Sequence, residues 1–286
     1  MKPYLHADDI GMSPAVTDNI LDAVDNGAVT SVSLVVNGHD SERACAELLA
    51  RPHVAVSLHL NLSEGLHIAD TPRKGEPVNG GFEALFVKNY RGADTTDIEL
   101  EIEAQMARFV EMYVSKAPEG TQFRIDSHHH THCIPFVFQT IMKHADQFGL
   151  KSIRVPSEPF FFKFSKAYLS LATMVNYIKV FLLQVLSWQM MRVLQKTDIE
   201  ASRRFIGVTF TGYMAPDNIL DGLKSVKNDD ESLVEVLLHP GGSHDGERHI
   251  WADRPALWSY YSSDGRSSER AVAKSDELKI LLEQYS

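Results

Sequence analysis

Short apolar and β-branched runs alternate with amphipathic stretches along most of this chain. The first run, PYLHA (3–7), leads through a loop into a helical pattern from about Pro14 to Asn26. Ser13 is placed to cap that helix, Pro14 suits its first position and Gly27 follows its end. SVSLVVNG (31–38) reads as a second strand, 40–50 as a helix and VAVSLHLNL (54–62) as a third strand. A loop with several Gly and Pro is expected over 63–94. The apolar positions of TTDIELEIEAQMARFVEMYVSK (95–116) then recur with helical period. QFRIDSHHH, KSIRVP, RFIGVTFTG and SLVEVLLHPGG supply further strands, with helices over 135–148 and 216–227 among them. Six or seven strand–helix units in series require parallel strands joined by helical crossovers. No internal repeat or interdomain linker interrupts them. The expected fold class is therefore α/β, a distorted (β/α) barrel with mostly parallel strands in one domain over 1–286, with functional residues at the C-terminal strand ends.

One stretch breaks the rhythm. Residues 167–191, AYLSLATMVNYIKVFLLQVLSWQMM, carry a single charge, Lys179. Length and apolarity would permit a membrane span, but a span here would place the later strands across the bilayer from the earlier ones. The expectation is an apolar helical insertion over about 157–203, serving as a lid, a homodimer contact or a peripheral contact with the inner face of a membrane.

Charge and cysteine usage narrow the partners. A formal net charge of -10 argues against nucleic acid or an anionic membrane surface as the main partner. Cys45 and Cys133 do not make a disulfide framework, and MKPYLHADD has no apolar leader core, so a reduced, cytoplasmic setting is expected.

Four polar clusters fall at predicted C-terminal strand ends: Asp8-Asp9, His59, DSHHHTH (126–132) and His239. If the extended conformation persisted, Asp126, His128, His130 and His132 would share one face, with His129 turned away. One carboxylate with two imidazoles suits a divalent metal, Zn²⁺ or a relative, and leaves positions for water and substrate. The adjacent aspartates then divide their work: one binds the ion, and its neighbour takes a proton from water that the ion acidifies. Spacing does not say which does which. His239 is a candidate proton donor to a leaving group. Metal, base and acid together describe hydrolysis of a carbonyl or phosphoryl compound.

These residues form a recognisable set. HADDIGMSPAVTDNILDAVDNGAVTSVSLVVNG (6–38) resembles the opening of the YdjC-like carbohydrate deacetylases, and LHLNLSEG, DSHHHTH and HPGG match later motifs of that family in order. The resemblance runs from about residue 4 to residue 245 and implies a distorted barrel, a bound Zn²⁺ or Mg²⁺, and removal of acetyl groups from N-acetylated sugars. It implies Asp9, His59 and His128 as metal ligands, Asp8 as general base and His239 as general acid. Arg154 would orient a carboxylate or touch substrate, with a surface salt bridge as the bland alternative. Asp126, His130 and His132 would stand behind the ligands or face the substrate. His6, Ile10 and Arg124 depart from the residues common at their positions, and His6 is expected to be structural. The apolar stretch is closer to the hopanoid-biosynthesis branch, whose substrate is an acetylated sugar on a lipid. Against this stand a phosphoesterase or another amidohydrolase, and a non-catalytic sugar- or lipid-binding module.

Overall fold

The computed structural model describes residues 2–78, 80–161, 171–202, 204–226, 233–252 and 254–285. The first half runs β1 (Lys2–Ile10), α1 (Pro14–Asn26), β2 (Val29–Leu34), α2 (Ser41–Leu49), β3 (Ala55–Leu60), α3 (Phe82–Arg91), α4 (Thr96–Phe109) and β4 (Phe123–Ser127). The second half runs α5 (Pro135–Phe148), β5 (Leu150–Arg154), α6 (Leu171–Leu194), β6 (Glu200–Ser202), β7 (Phe205–Ile206), α7 (Pro216–Ser225), β8 (Leu233–Leu238), α8 (Pro255–Tyr261), α9 (Asp264–Ala273) and α10 (Asp276–Glu283).

Among the described residues eight strands form one sheet, all parallel, in the order β6-β5-β4-β3-β2-β1-β8-β7. β6 pairs with β5, and β7 pairs with β8 only two residues further along, so this short stretch brings the two ends of the sheet together. The result is a nearly closed, distorted (β/α) barrel. Its strands read as near-continuous buried runs because both faces are covered: Leu5, Ala7, Val32, Leu34, Leu58, Leu60, Ile125, Ile153, Val236 and Leu238 all lie in one apolar core.

The predicted helix start at Ser13 holds: its hydroxyl accepts from the Val16 N–H, and Pro14 opens the helix. Elsewhere the structure corrects or extends the expected elements. The loop over 63–94 contains α3, which ends on left-handed Gly92. The helix over 95–116 is α4 followed by a wider π-helical turn, Val110–Val114. The strand expected over 204–212 stops at Ile206, because the N–H groups of Gly207, Val208 and Thr209 all donate to the buried Glu158 carboxylate instead of to a neighbouring strand. Helices α8 to α10 close the C-terminus, which the hydrophobic pattern left unassigned.

The apolar stretch 167–191 is helical from residue 171, and 167–170 fall outside the described residues. This α6 occupies the crossover between β5 and β6, the ordinary place of a barrel helix. Val180, Leu183, Leu186, Met190 and Leu194 bury one of its faces in the core. No helix among the described residues is long and apolar enough to cross a membrane. Cys45 and Cys133 are buried and unpaired.

Candidate metal and catalytic site

In a regular strand the side chains of adjacent residues point to opposite faces. The Asp8-Asp9 pair escapes that rule through a bulge. Ala7 pairs with Val32 and Ile10 with Leu34, so three steps along β1 oppose two along β2. Asp9 takes up the extra residue with φ of 81°, a conformation that costs a non-glycine residue about 1–3 kcal/mol. Both carboxylates consequently stay buried at the C-terminal end of β1.

Asp9 Oδ1 lies 2.8 Å from His128 Nδ1 and 3.3 Å from His59 Nε2. The far nitrogen of each imidazole faces another carboxylate. His59 Nδ1 is 2.6 Å from Asp126 Oδ1, its direct partner in the β3–β4 register. His128 Nε2 is 2.6 Å from Glu64 Oε2, though not aligned as a hydrogen bond. Glu64 sits in the loop after β3 and was not among the residues picked from the sequence.

The histidine run does not stay extended. β4 ends at Ser127, and a 3₁₀ turn, His128–Cys133, begins with His129 and His130 both at φ of 55°. The shared face expected for Asp126, His128, His130 and His132 is therefore broken. His128 reaches Asp9. His132 braces the turn instead, with Nδ1 at 2.6 Å from Ser127 Oγ and Nε2 at 2.9 Å from the Arg154 carbonyl. His130 stands edge-on to Phe205, and its buried Nδ1 has no hydrogen-bond partner.

Arg154 leaves the end of β5 and crosses the barrel interior. Its guanidinium grips Asp8 with two bonds of 3.0 and 2.9 Å, and Nη2 also lies 3.1 Å from Asp126 and 2.6 Å from Glu235. The surface salt-bridge reading fails, because Arg154 is buried. Burial alone would raise the Asp8 carboxyl, but Arg154 beside it, helped by His59 and His6, holds it well below the usual range. His6 itself is structural in its setting: its nitrogens meet the hydroxyls of Ser31 at 2.8 Å and Ser33 at 2.6 Å.

At the opposite side of β1, Ala7 pairs with Leu238, which brings Asp8 and His239 to neighbouring strand ends. His239 Nδ1 faces Glu269 Oε2 at 3.5 Å, and the backbone N–H of His239 donates to the same oxygen at 2.7 Å. Arg266 neutralises Glu269 at 3.2 Å. Tyr261, from α8, is buried against Trp251 and Tyr260, and burial, then the charges of Asp9 and Glu64, push its hydroxyl pKa up. That hydroxyl has no partner among the described residues.

The donor set fits a divalent cation. Asp9, His59 and His128 each offer a ligand atom, all within 4.8 Å of one another, and Asp9 Oδ2 and His59 Nε2 are buried without hydrogen bonds. Charge points the same way. Asp8, Asp126 and Glu235 are buried around one guanidinium, and Asp9 is buried next to Asp8 in the chain. Despite burial, which lowers it, His59 is pushed up to about 9 by Asp8, Asp126 and Asp9. Burial also lowers His128, yet Glu64 and Asp9 carry it well above its ordinary value. Two further groups have close ligand atoms: Glu64, His128 and His129, which shares His128 with the first, and His6, Asp8 and Asp126, whose carboxylates Arg154 already occupies.

Compared with known proteins, the chain matches the model of the YdjC-like protein family over residues 4–284. The chain belongs to that family. Relatives of this YdjC-like chain include a carbohydrate deacetylase of Homo sapiens, 36% identical over 166 residues (55% of this chain, 49% of that protein). Another is a carbohydrate deacetylase of Geobacillus stearothermophilus, 37% identical over 150 residues (51% and 56%). A chitooligosaccharide deacetylase of Escherichia fergusonii is 29% identical over 157 residues (55% and 60%). The matches to these relatives span about half of their length. The crystal structure of a candidate cellobiose-phosphate cleavage protein from Enterococcus faecalis V583 superposes with a TM-score of 0.69 at 20% identity, covering 99% of this chain and 94% of that one, and so shares its fold.

Proposed function

We propose that this YdjC-like chain is a metal-dependent hydrolase that removes the acetyl group from an N-acetylated amino sugar. The observation that carries the reading is the bulge in β1, which turns one of two adjacent carboxylates onto a pair of imidazoles and the other onto a buried guanidinium. The deacetylase names of its relatives support the choice of bond.

A divalent ion, Zn²⁺ or Mg²⁺, held by Asp9, His59 and His128 would supply Lewis acidity that acidifies water and polarises the acetamide carbonyl. Asp8 then takes the proton as the water oxygen adds to the carbonyl carbon. Arg154 keeps Asp8 ionised and fixed in direction. The same grip lowers the proton affinity of Asp8, which the acidity that a bound ion would lend to water would offset. His239, with Nδ1 turned to Glu269, delivers a proton to the leaving nitrogen as the C–N bond breaks, and acetate and the free amine result. The unpartnered Tyr261 hydroxyl is a donor for the substrate. Soluble chito-oligosaccharides suit the named relatives; an acetylated sugar on a lipid is the alternative carrier of the same amide.

The test is a screen for acetate release by protein stripped of metal and then reloaded with Zn²⁺, Mg²⁺ or neither. Acetate from N-acetylglucosamine oligomers, dependent on added metal, is expected. Release of phosphate from phosphate esters with no acetate from any acetylated sugar would overturn the assignment.

A further inference from the structure

Helix α6 is apolar on two opposite sides. Its inner side is fixed to the barrel by Val180, Leu183, Leu186, Met190 and Leu194. On its outer side Met174, Ile178, Phe181, Val185 and Trp188 recur at three- and four-residue intervals and are 41–69% exposed. The stripe is about 21 Å long by the rise of an α-helix. So long a contiguous row of large apolar side chains marks a contact surface on a soluble fold.

Charge identifies what the row meets. The chain as a whole carries a net charge of -10, yet residues 159–197 hold five cations (Lys163, Lys166, Lys179, Arg192 and Lys196) and no carboxylate. Arg192 and Lys196 are exposed at and just past the C-terminal end of α6, whereas Lys179 lies away from the stripe, on the side of His129. The Arg192 guanidinium lies over the Trp188 ring at 4.7 Å, so a cation and an amphipathic aromatic share the end of the stripe. On α6 itself there is no carboxylate to meet the Arg192 of a second copy docked on the same face. An anionic bilayer satisfies both features at once.

We propose that the outer face of α6 docks on an anionic lipid surface, lying in the headgroup layer with Ile178, Phe181 and Trp188 inserted and Arg192 and Lys196 on lipid phosphates. α6 packs against the 3₁₀ turn that carries His128, so docking holds the catalytic end of the barrel next to the bilayer. Because the inner face stays in the core, the helix lies on the membrane and does not span it. The proposal does not depend on the deacetylase reading.

Sedimentation with vesicles of phosphatidylcholine, with and without phosphatidylglycerol, tests it directly. Binding to the anionic vesicles that weakens with salt is expected. Arg192→Glu and Lys196→Glu should each weaken it about fivefold or more. The triple variant Ile178→Ser, Phe181→Ser, Trp188→Ser should weaken it roughly tenfold or more while keeping the wild-type circular dichroism spectrum. Equal binding to both vesicle types, or undiminished binding by the triple variant, overturns the proposal. So does a wild-type dimer in sedimentation equilibrium that the triple variant converts to monomer, since a second copy would then own the face.

Discussion

Arg154 is the residue on which the barrel interior turns. It is a buried cation serving Asp8, Asp126 and Glu235, and Tyr4 caps the far oxygen of Glu235 at 2.9 Å. Removing one partner from a buried ion pair leaves uncompensated charge, which costs about 3–5 kcal/mol. Arg154→Lys keeps the charge but loses the two-pronged grip on Asp8. It should lower the thermal midpoint and, in whatever folds, reduce kcat more than KM, which calorimetry and steady-state kinetics will show. Glu64 and Asp126 make a separate claim. Each faces the nitrogen of an imidazole that would not bind the ion, a position that fixes ring orientation in metal sites. Glu64→Gln and Asp126→Asn should therefore each weaken metal affinity about 10- to 100-fold in titration calorimetry. Unchanged affinity in Glu64→Gln would mean that Glu64 serves the substrate and not His128.

Among the elements, the join between β5, α6 and β7 depends on one side chain. Glu158 accepts from the N–H groups of Gly207, Val208 and Thr209, while its own carbonyl accepts from Gln184 of α6. Burial pushes its carboxyl up to about 7 from an ordinary 4.5, against the lowering effect of those N–H donors. The folded protein thus holds this proton more tightly than the unfolded chain does. The resulting stability is complete below about pH 4.5 and fades as pH rises through about 7, on the order of 3 kcal/mol in all. Unfolding followed from pH 5 to 8 should show that decline in the wild type and a flatter one in Glu158→Gln. The same side chain explains a limit of the sequence. RFIGVTFTG has strand composition throughout, but a carboxylate about fifty residues upstream takes the N–H groups that a strand would need. Strands and helices with their own periodicity and caps, such as α1 and α5, were legible. The left-handed pair His129 and His130 was not, because nothing in a run of histidines announces a turn. Asp8, Asp9, His59, His128 and His239 were legible as strand-end groups, and family resemblance divided the two aspartates. Glu64 and Glu269 were hidden, one in a loop and the other on a helix far along the chain.

At the scale of the whole molecule, a barrel with several buried acids around one end is a protein waiting for positive charge. Binding a divalent ion to the folded state alone should raise the thermal midpoint by about 5–10 °C at a hundredfold excess over the dissociation constant. Scanning calorimetry of stripped and reloaded protein measures this, and stripped protein with an unchanged midpoint would count against a metal in the folded site. The central claim concerns the division of labour between two adjacent aspartates, and paired measurements on Asp8→Asn and Asp9→Asn test it most directly. Metal stoichiometry and acetate release are followed on the same samples. Asp8→Asn should bind one ion per chain and lose turnover by about 10²- to 10⁴-fold, whereas Asp9→Asn should lose the ion itself. An Asp8→Asn protein that keeps full turnover, or that loses metal as completely as Asp9→Asn, would contradict the account.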